Sequence, residues 1–317
     1  MIFQLVFLAA IVRIVVPYAL AALAGTVSER SGVVQIALEG MLLVGAFSAI
    51  VGADVGGSAW SGVLAGAAAG ATFAAAYAVV VLWFAADPIV TGVAFNLLAD
   101  ALTRYLLHVR YDSASNSPRI AALGMQPLLD AGPLLQALTH PLVLLTLLCV
   151  VLVHVVLYKT VFGLRLRAVG ERPDAAMSVG VDPRGVRVWA LIAGGALAGL
   201  GGAYLAVEQR QFVAGMSAGR GYIALAAMIF GGWRPVPAVL ACLLFGAAEA
   251  LEIQLQTQGG VLPAWAVQML PYVLTILVLA LSKSGAKLKP RGNDTDNPNG
   301  QRRRKSAARA PAALGKM

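Results

Sequence analysis

Charge is what this chain has least of. Asp, Glu, Lys and Arg make up 12% of its 317 residues, where a soluble domain carries about 25%. Cysteine is nearly absent too: Cys149 and Cys242 both fall in apolar runs, too few for a disulfide framework or a thiolate metal site. The three histidines, His108, His140 and His154, show no metal-ligand spacing. No GxxxxGK[ST] phosphate loop and no HExxH occurs, so nucleotide hydrolysis and zinc proteolysis lose their usual sequence signals. A lipid-modifying intramembrane enzyme would need a clustered acid/base or metal set at one membrane face, and none is visible. The N-terminus lacks a basic n-region and its apolar run continues past Arg13 to Ala24, unlike a signal peptide.

What is abundant is apolar and small. Hydrophobic residues make up 59%, glycine numbers 34, and mean hydropathy is +0.78. A membrane-spanning helix needs about 20 apolar residues, so roughly eight to ten fit. The runs do not alternate as barrel strands would. The expectation is an all-α polytopic membrane protein of about nine spans, near 2–24, 33–52, 59–84, 89–108, 140–158, 188–207, 221–232, 236–251 and 263–282. The seventh is too short to cross comfortably and reads as broken or re-entrant.

Between the fifth and sixth spans lies a polar island, Gly163 to Pro183, carrying Arg165, Arg167, Glu171, Arg172, Asp174 and Asp182. Each such charge would cost about 2.5–3.5 kcal/mol at the bilayer centre, so the island lies in water. Ala and Met between Gly170 and Gly180 favour a short helix there, suited to the grip of a soluble partner. The Lys159–Arg187 connection holds six basic residues. The segment from Lys283 to the end holds ten against two acids, a net of +8 out of +9 for the chain. The positive-inside rule puts both in the cytoplasm. Residues 283–317 read as a disordered basic tail following a transmembrane domain of residues 1–282, in which about 159–187 form the cytoplasmic connection.

Gly62, Gly66 and Gly70 recur every four positions, as do Gly195 and Gly199, followed by Gly201 and Gly202. Such faces let helix backbones approach closely in lipid. A faint internal echo pairs Ile36-Ala37-Leu38-x-x-Met41 with Ile223-Ala224-Leu225-x-x-Met228, each following an arginine, Arg30 or Arg220. Paired interrupted segments in two halves point to an inverted-repeat-like core around a transport pathway; the alternative is coincidence among common residue types.

Polar groups inside spans mark either interhelical bonds or a pathway. Glu39 lies mid-span one helical turn from Gln35. Asn96, Asp100, Thr103 and Arg104 share one helix, with Asp100 and Arg104 spaced as an ion pair. Glu249 and Glu252 lie near the outer end of the eighth span. Arg13, within the first span, either snorkels or pairs with one of these acids.

The blocks VSERSGVVQIALEGMLLVGAF, ADPIVTGVAFNLLADALTRYLL, GLRLRAVGERPDAAMSVGV, GGALAGLGGAYLAV, GRGYIALAAMIFGGWRP and LLFGAAEALEIQLQ resemble the permease subunits of ATP-binding-cassette importers, in the simple-sugar and nucleoside branch related to the branched-chain amino acid and ribose permeases. The resemblance covers roughly residues 10–282. It departs from the family pattern at Gln35 and Ala37, at Pro88 and at Asp100.

The resemblance implies a pathway built by two permease subunits, here expected to be a non-identical pair. Cytoplasmic ATP-binding subunits would hold ATP and Mg, this chain binding no cofactor. An extracytoplasmic binding lipoprotein would deliver substrate. It further implies that Arg167, Gly170, Glu171, Pro173, Ala175, Ala176 and Gly180 belong to the coupling segment that docks on the ATPase. Gln35, Glu39, Phe95, Asn96, Arg220, Gly221 and Tyr222 are the expected pathway-lining residues of this inner-membrane protein. A stand-alone secondary transporter or channel for a small polar solute is the rival reading, with Glu39 and Asp100 as its coupling acids.

Overall fold

A computed structural model describes residues 2–129, 132–257 and 310–315. Its helices are α1 (Ile2–Arg30), α2 (Leu38–Gly56), α3 (Ala59–Trp83), α4 (Pro88–Tyr111), α5 (Pro133–Leu138), α6 (Pro141–Lys159), α7 (Val161–Glu171), α8 (Pro173–Ser178), α9 (Pro183–Gln209), α10 (Arg220–Phe230) and α11 (Pro235–Thr257). Among the described residues seven helices, α1, α2, α3, α4, α6, α9 and α11, are long and apolar enough to cross a membrane. The chain is thus an all-α, multi-pass membrane protein. Of the nine expected spans, the ninth lies outside the described residues. The seventh is the short helix α10, whose 11 residues reach about 16 Å at 1.5 Å per residue, well short of a bilayer.

Proline and capping residues set most boundaries. Asp87 caps α4, accepting bonds from the Ile89 and Val90 amides at 2.8 and 3.0 Å, with Pro88 at the first helical position. Proline is harmless there because that N–H has no helical partner, which accounts for the Pro88 departure. Asp182 and Pro183 repeat the device at α9, and Thr160 caps α7 through the Gly163 amide at 3.2 Å.

The core is built where glycine removes side chains. α3 packs along α9, and both pack on α2. A Cβ at Gly70 would lie 2.3 Å from the Gly195 carbonyl oxygen; one at Gly45 would lie 2.5 Å from the Gly199 Cα. The expected small-residue faces are therefore contact surfaces between helices, a structural role.

One boundary differs from expectation. Gln35 and Glu39 do not share a helix, because α2 begins only at Leu38 and residues 33–36 are irregular. The sequence alone hides the cause. Asn96 of α4 accepts the Gly40 amide at 2.8 Å and donates to the Ile36 carbonyl at 3.0 Å. Backbone groups that one more helical turn would have satisfied thus find a partner on another helix.

At one end of the bundle the segment after α4 is pinned to the α9–α10 loop by Ser117 N–H to Phe212 O (2.9 Å) and Ala214 N–H to Ser115 O (2.8 Å). At the other end lie the α1–α2 connection, the α10–α11 turn and the α7–α8 island.

Candidate functional site: a polar junction between two helix starts and a facing polar island

The first set of expected residues converges on the starts of α2 and α10. The Glu39 carboxylate accepts the Gly219 amide at 2.7 Å through Oε1 and the Gly221 amide at 2.6 Å through Oε2. It therefore caps α10 from another helix, supplying the negative charge that free N–H groups at a helix start attract. Gly221 permits the approach, since a Cβ there would lie 2.5 Å from the Glu39 nitrogen. Asn96 completes the junction by donating to the Tyr222 hydroxyl at 3.0 Å. The echo residues converge as well: Leu38, Leu225 and Met228 surround Gly25 of α1.

Each expected pathway residue thereby has a place. Glu39 and Asn96 spend their polar atoms on internal bonds. Phe95 is sandwiched edge-on between Phe73 and Tyr77, at 5.1 and 5.4 Å. Gln35 is buried, with its amide nitrogen on Met41 Sδ and its Oε1 without a partner. Arg220 donates to the Met216 carbonyl and to Glu249, which also accepts the Tyr18 hydroxyl, tying α10 to α11 and α1. Tyr222 is 48% exposed. Asp100 and Arg104 form the expected ion pair at 3.0 Å. Arg13 pairs with Glu208 of α9 at 3.4 Å, rather than with the acids of α2, α4 or α11.

The second set lies at the opposite end of α2 from its loop with α3. Gly170 is buried, and a Cβ there would lie 2.1 Å from the Arg30 carbonyl oxygen. It lets α7 seat against the α1–α2 connection, so its role is to position the island. Ala176 is buried beneath α8, and Arg167 donates to the Gly163 carbonyl while its guanidinium lies over Tyr158. Glu171, Ala175, Met177 and Val179 face outward and Pro173 is half-buried. Gly180 has φ +80°, the left-handed conformation glycine adopts most easily, and turns the chain into α9. An open cleft of about 890 Å³ runs past Glu171, Asp174, Met177, Arg184 and Arg187.

Sequence reasoning missed a third set. Trp233 donates from Nε1 to Glu29 at 2.6 Å, Glu29 also accepts the Gln35 amide, and Arg30 donates to the Trp233 carbonyl at 2.7 Å. These residues stand in the quoted blocks VSERSG and GGWRP, but nothing in either block marks the other as its partner. Residues 310–315 form a turn on the island; the rest of the expected tail, 283–309 and 316–317, lies outside the described residues.

The arrangement is that of a helical membrane permease: broken helices meeting at a polar junction within the bundle, and an organised polar island at one end. Comparison agrees. Residues 7–279 match the family model described as branched-chain amino acid transport system / permease component, and the chain belongs to that family. It is 38% identical to the nucleoside ABC transporter permease protein NupC of Lactococcus lactis, over 84% of this chain and 88% of that one. It is 35% identical to the guanosine ABC transporter permease protein NupQ of Bacillus subtilis, over 83% and 87%. It is also 34% identical to a putative glucose ABC transporter permease protein of Haloferax volcanii, over 75% and 74%. No solved structure matches. The chain is an ABC transporter permease, not a stand-alone carrier.

Proposed function

We propose that this permease forms half of an inner-membrane pathway importing nucleosides. A paralogous permease supplies the other half, an extracytoplasmic binding protein delivers the substrate, and a separate ATP-binding subunit hydrolyses ATP with Mg. The chain itself binds no cofactor. The observation that carries the pathway reading is the stripe Asn96, Asp100 and Arg104 on α4. Asp100 and Arg104 stay 43% and 51% exposed near the middle of a membrane-spanning helix. Facing lipid, such charges would cost about 2.5–3.5 kcal/mol each; against water or a second permease they cost little. Tyr222, beside Asn96, offers an aromatic face and a hydroxyl, which suits a base and a ribose.

The island reads as the coupling segment. Its exposed Glu171, Arg172, Asp174, Met177 and Val179 give a partner both charge and apolar surface, while buried Gly170 and Ala176 hold that surface in place. Its shared end with the α1–α2 connection and Ala310–Gly315 supports a cytoplasmic C-terminus. The test is uptake of radiolabelled guanosine by cells with and without the gene, competed by excess unlabelled nucleosides or glucose. Loss of guanosine uptake on deletion, blocked only by nucleosides, is expected. Loss of glucose uptake alone overturns the substrate.

A further inference from the structure

Residues 310–315 rest on the surface just assigned to coupling. Ala313 N–H donates to the Gly170 carbonyl at 2.9 Å, and Gly315 N–H to the Gly32 carbonyl at 3.2 Å. Ala312 N–H reaches the Glu171 carboxylate at 3.4 Å. A turn closed by Leu314 N–H to Pro311 O shapes the segment, and Ala313 is 4% exposed. Ala312 and Ala313 form one wall of the cleft that Glu171, Asp174, Met177 and Arg184 also line.

We infer that residues 310–315 are a strap that competes with the ATP-binding subunit for this surface and so restrains coupling until it is displaced. The inference rests on the coupling reading above.

The chemistry fits a reversible contact. Glu171 is exposed and charged, suited to a partner cation, yet here it accepts a backbone N–H of the strap. The bonds from Ala313 and Gly315 are backbone to backbone and place no demand on neighbouring side chains. A few such bonds, each weak because its groups exchange bonds with water, make a weak contact. Tethering in the same chain makes the contact intramolecular, which favours it when no partner is bound. A large protein surface would displace it. A small residue at 313 follows from the fit, because buried Ala313 sits against Gly170 and Gly32.

The test uses the full-length permease in native membranes, with Cys149 and Cys242 replaced. Ala312→Cys combined with Glu171→Cys reports docking by disulfide formation. A second readout is association of the ATP-binding subunit by co-purification, comparing wild type, a truncation after Arg309, and Ala313→Arg, which cannot enter the closed space. The expected result is a disulfide that forms in the permease alone and falls when the ATP-binding subunit is co-expressed. Association should rise about three- to tenfold in both the truncation and Ala313→Arg. No disulfide in the permease alone overturns the docking. A disulfide unaffected by the subunit, with association unchanged by truncation, overturns the competition. Met177→Asp separates this from failure of the coupling reading: if the subunit still co-purifies with that variant at wild-type levels, the coupling surface itself is wrongly placed.

Discussion

Glu39 on α2 and Gly221 on α10 meet within 2.6 Å, carboxylate oxygen to amide nitrogen, so one acidic side chain holds the start of a helix remote in sequence. Two short-range facts make this possible: an acid in the first turn of α2 and a residue without a Cβ in the first turn of α10. Together they fix the relative position of the two interrupted segments around which a pathway would have to open.

Glu39→Gln keeps one oxygen acceptor and loses the other along with the charge. A charge-assisted bond to a backbone amide is worth about 1.5–3 kcal/mol. Glu39→Gln should lower the melting temperature of the solubilised protein, and Glu39→Ala should lower it further. Gly221→Ala should be as damaging as Glu39→Ala, because its Cβ meets Glu39 backbone. Wild-type melting curves for all three variants would refute the capping role.

The Asp100–Arg104 pair predicts a separation of stability from transport. Exposed i, i+4 pairs contribute about 0.3–0.5 kcal/mol, so Arg104→Gln should barely change the melting temperature. Uptake should nonetheless fall severalfold if this face lines the pathway. The charge-reversed double variant, Asp100→Arg with Arg104→Asp, should likewise keep near-wild-type stability and still fail to restore transport. Normal uptake by Arg104→Gln would place the stripe at a lipid or subunit surface instead.

On the island, buried and exposed positions should respond differently. Gly170→Ala puts a Cβ 2.1 Å from the Arg30 carbonyl oxygen, and the expected outcome is a lower level of protein in the membrane. Met177→Asp, on an exposed side chain, should leave that level unchanged and reduce uptake at least tenfold. Immunoblotting of membranes beside uptake measurements checks both.

His140 gives a pH dependence. Burial holds its imidazole below the ordinary value, against the opposing pull of the Glu208 carboxylate. The folded state therefore binds its proton less readily than the unfolded chain. Stability from this group is fully present above about pH 6.5 and is lost as pH falls toward the folded value. His140 also caps α6 through Nδ1 on the Leu142 amide at 3.3 Å. Asn caps helices well, so His140→Asn should preserve stability at neutral pH and flatten its decline between pH 6.5 and 5, measured by thermal melting.

Local signals made much of the bundle legible. Long apolar runs, the glycine ladders and the Asp100–Arg104 spacing all act within one helix or at its end. Their physics is contained in a few consecutive residues, and the structure bears each of them out. The Arg165-to-Asp182 charges marked a polar island for the same reason: charge excludes a segment from lipid whatever surrounds it.

What only the tertiary structure decided is where one segment supplies what another lacks. Gln35 looked helical with Glu39 until Asn96 of α4 took over the backbone bonds at the start of α2. Phe95 looked like a free aromatic surface until Phe73 and Tyr77 closed on it. Gly170 looked like a docking residue until the Arg30 carbonyl was found beneath it. The docked turn at Ala313 had no sequence signal, because its bonds are made by backbone that every residue carries. Sequence determined which segments enter the membrane, since that depends on composition over about 20 residues. Which polar atoms remain free was decided by packing, since a hydrogen bond is spent only when its partner arrives.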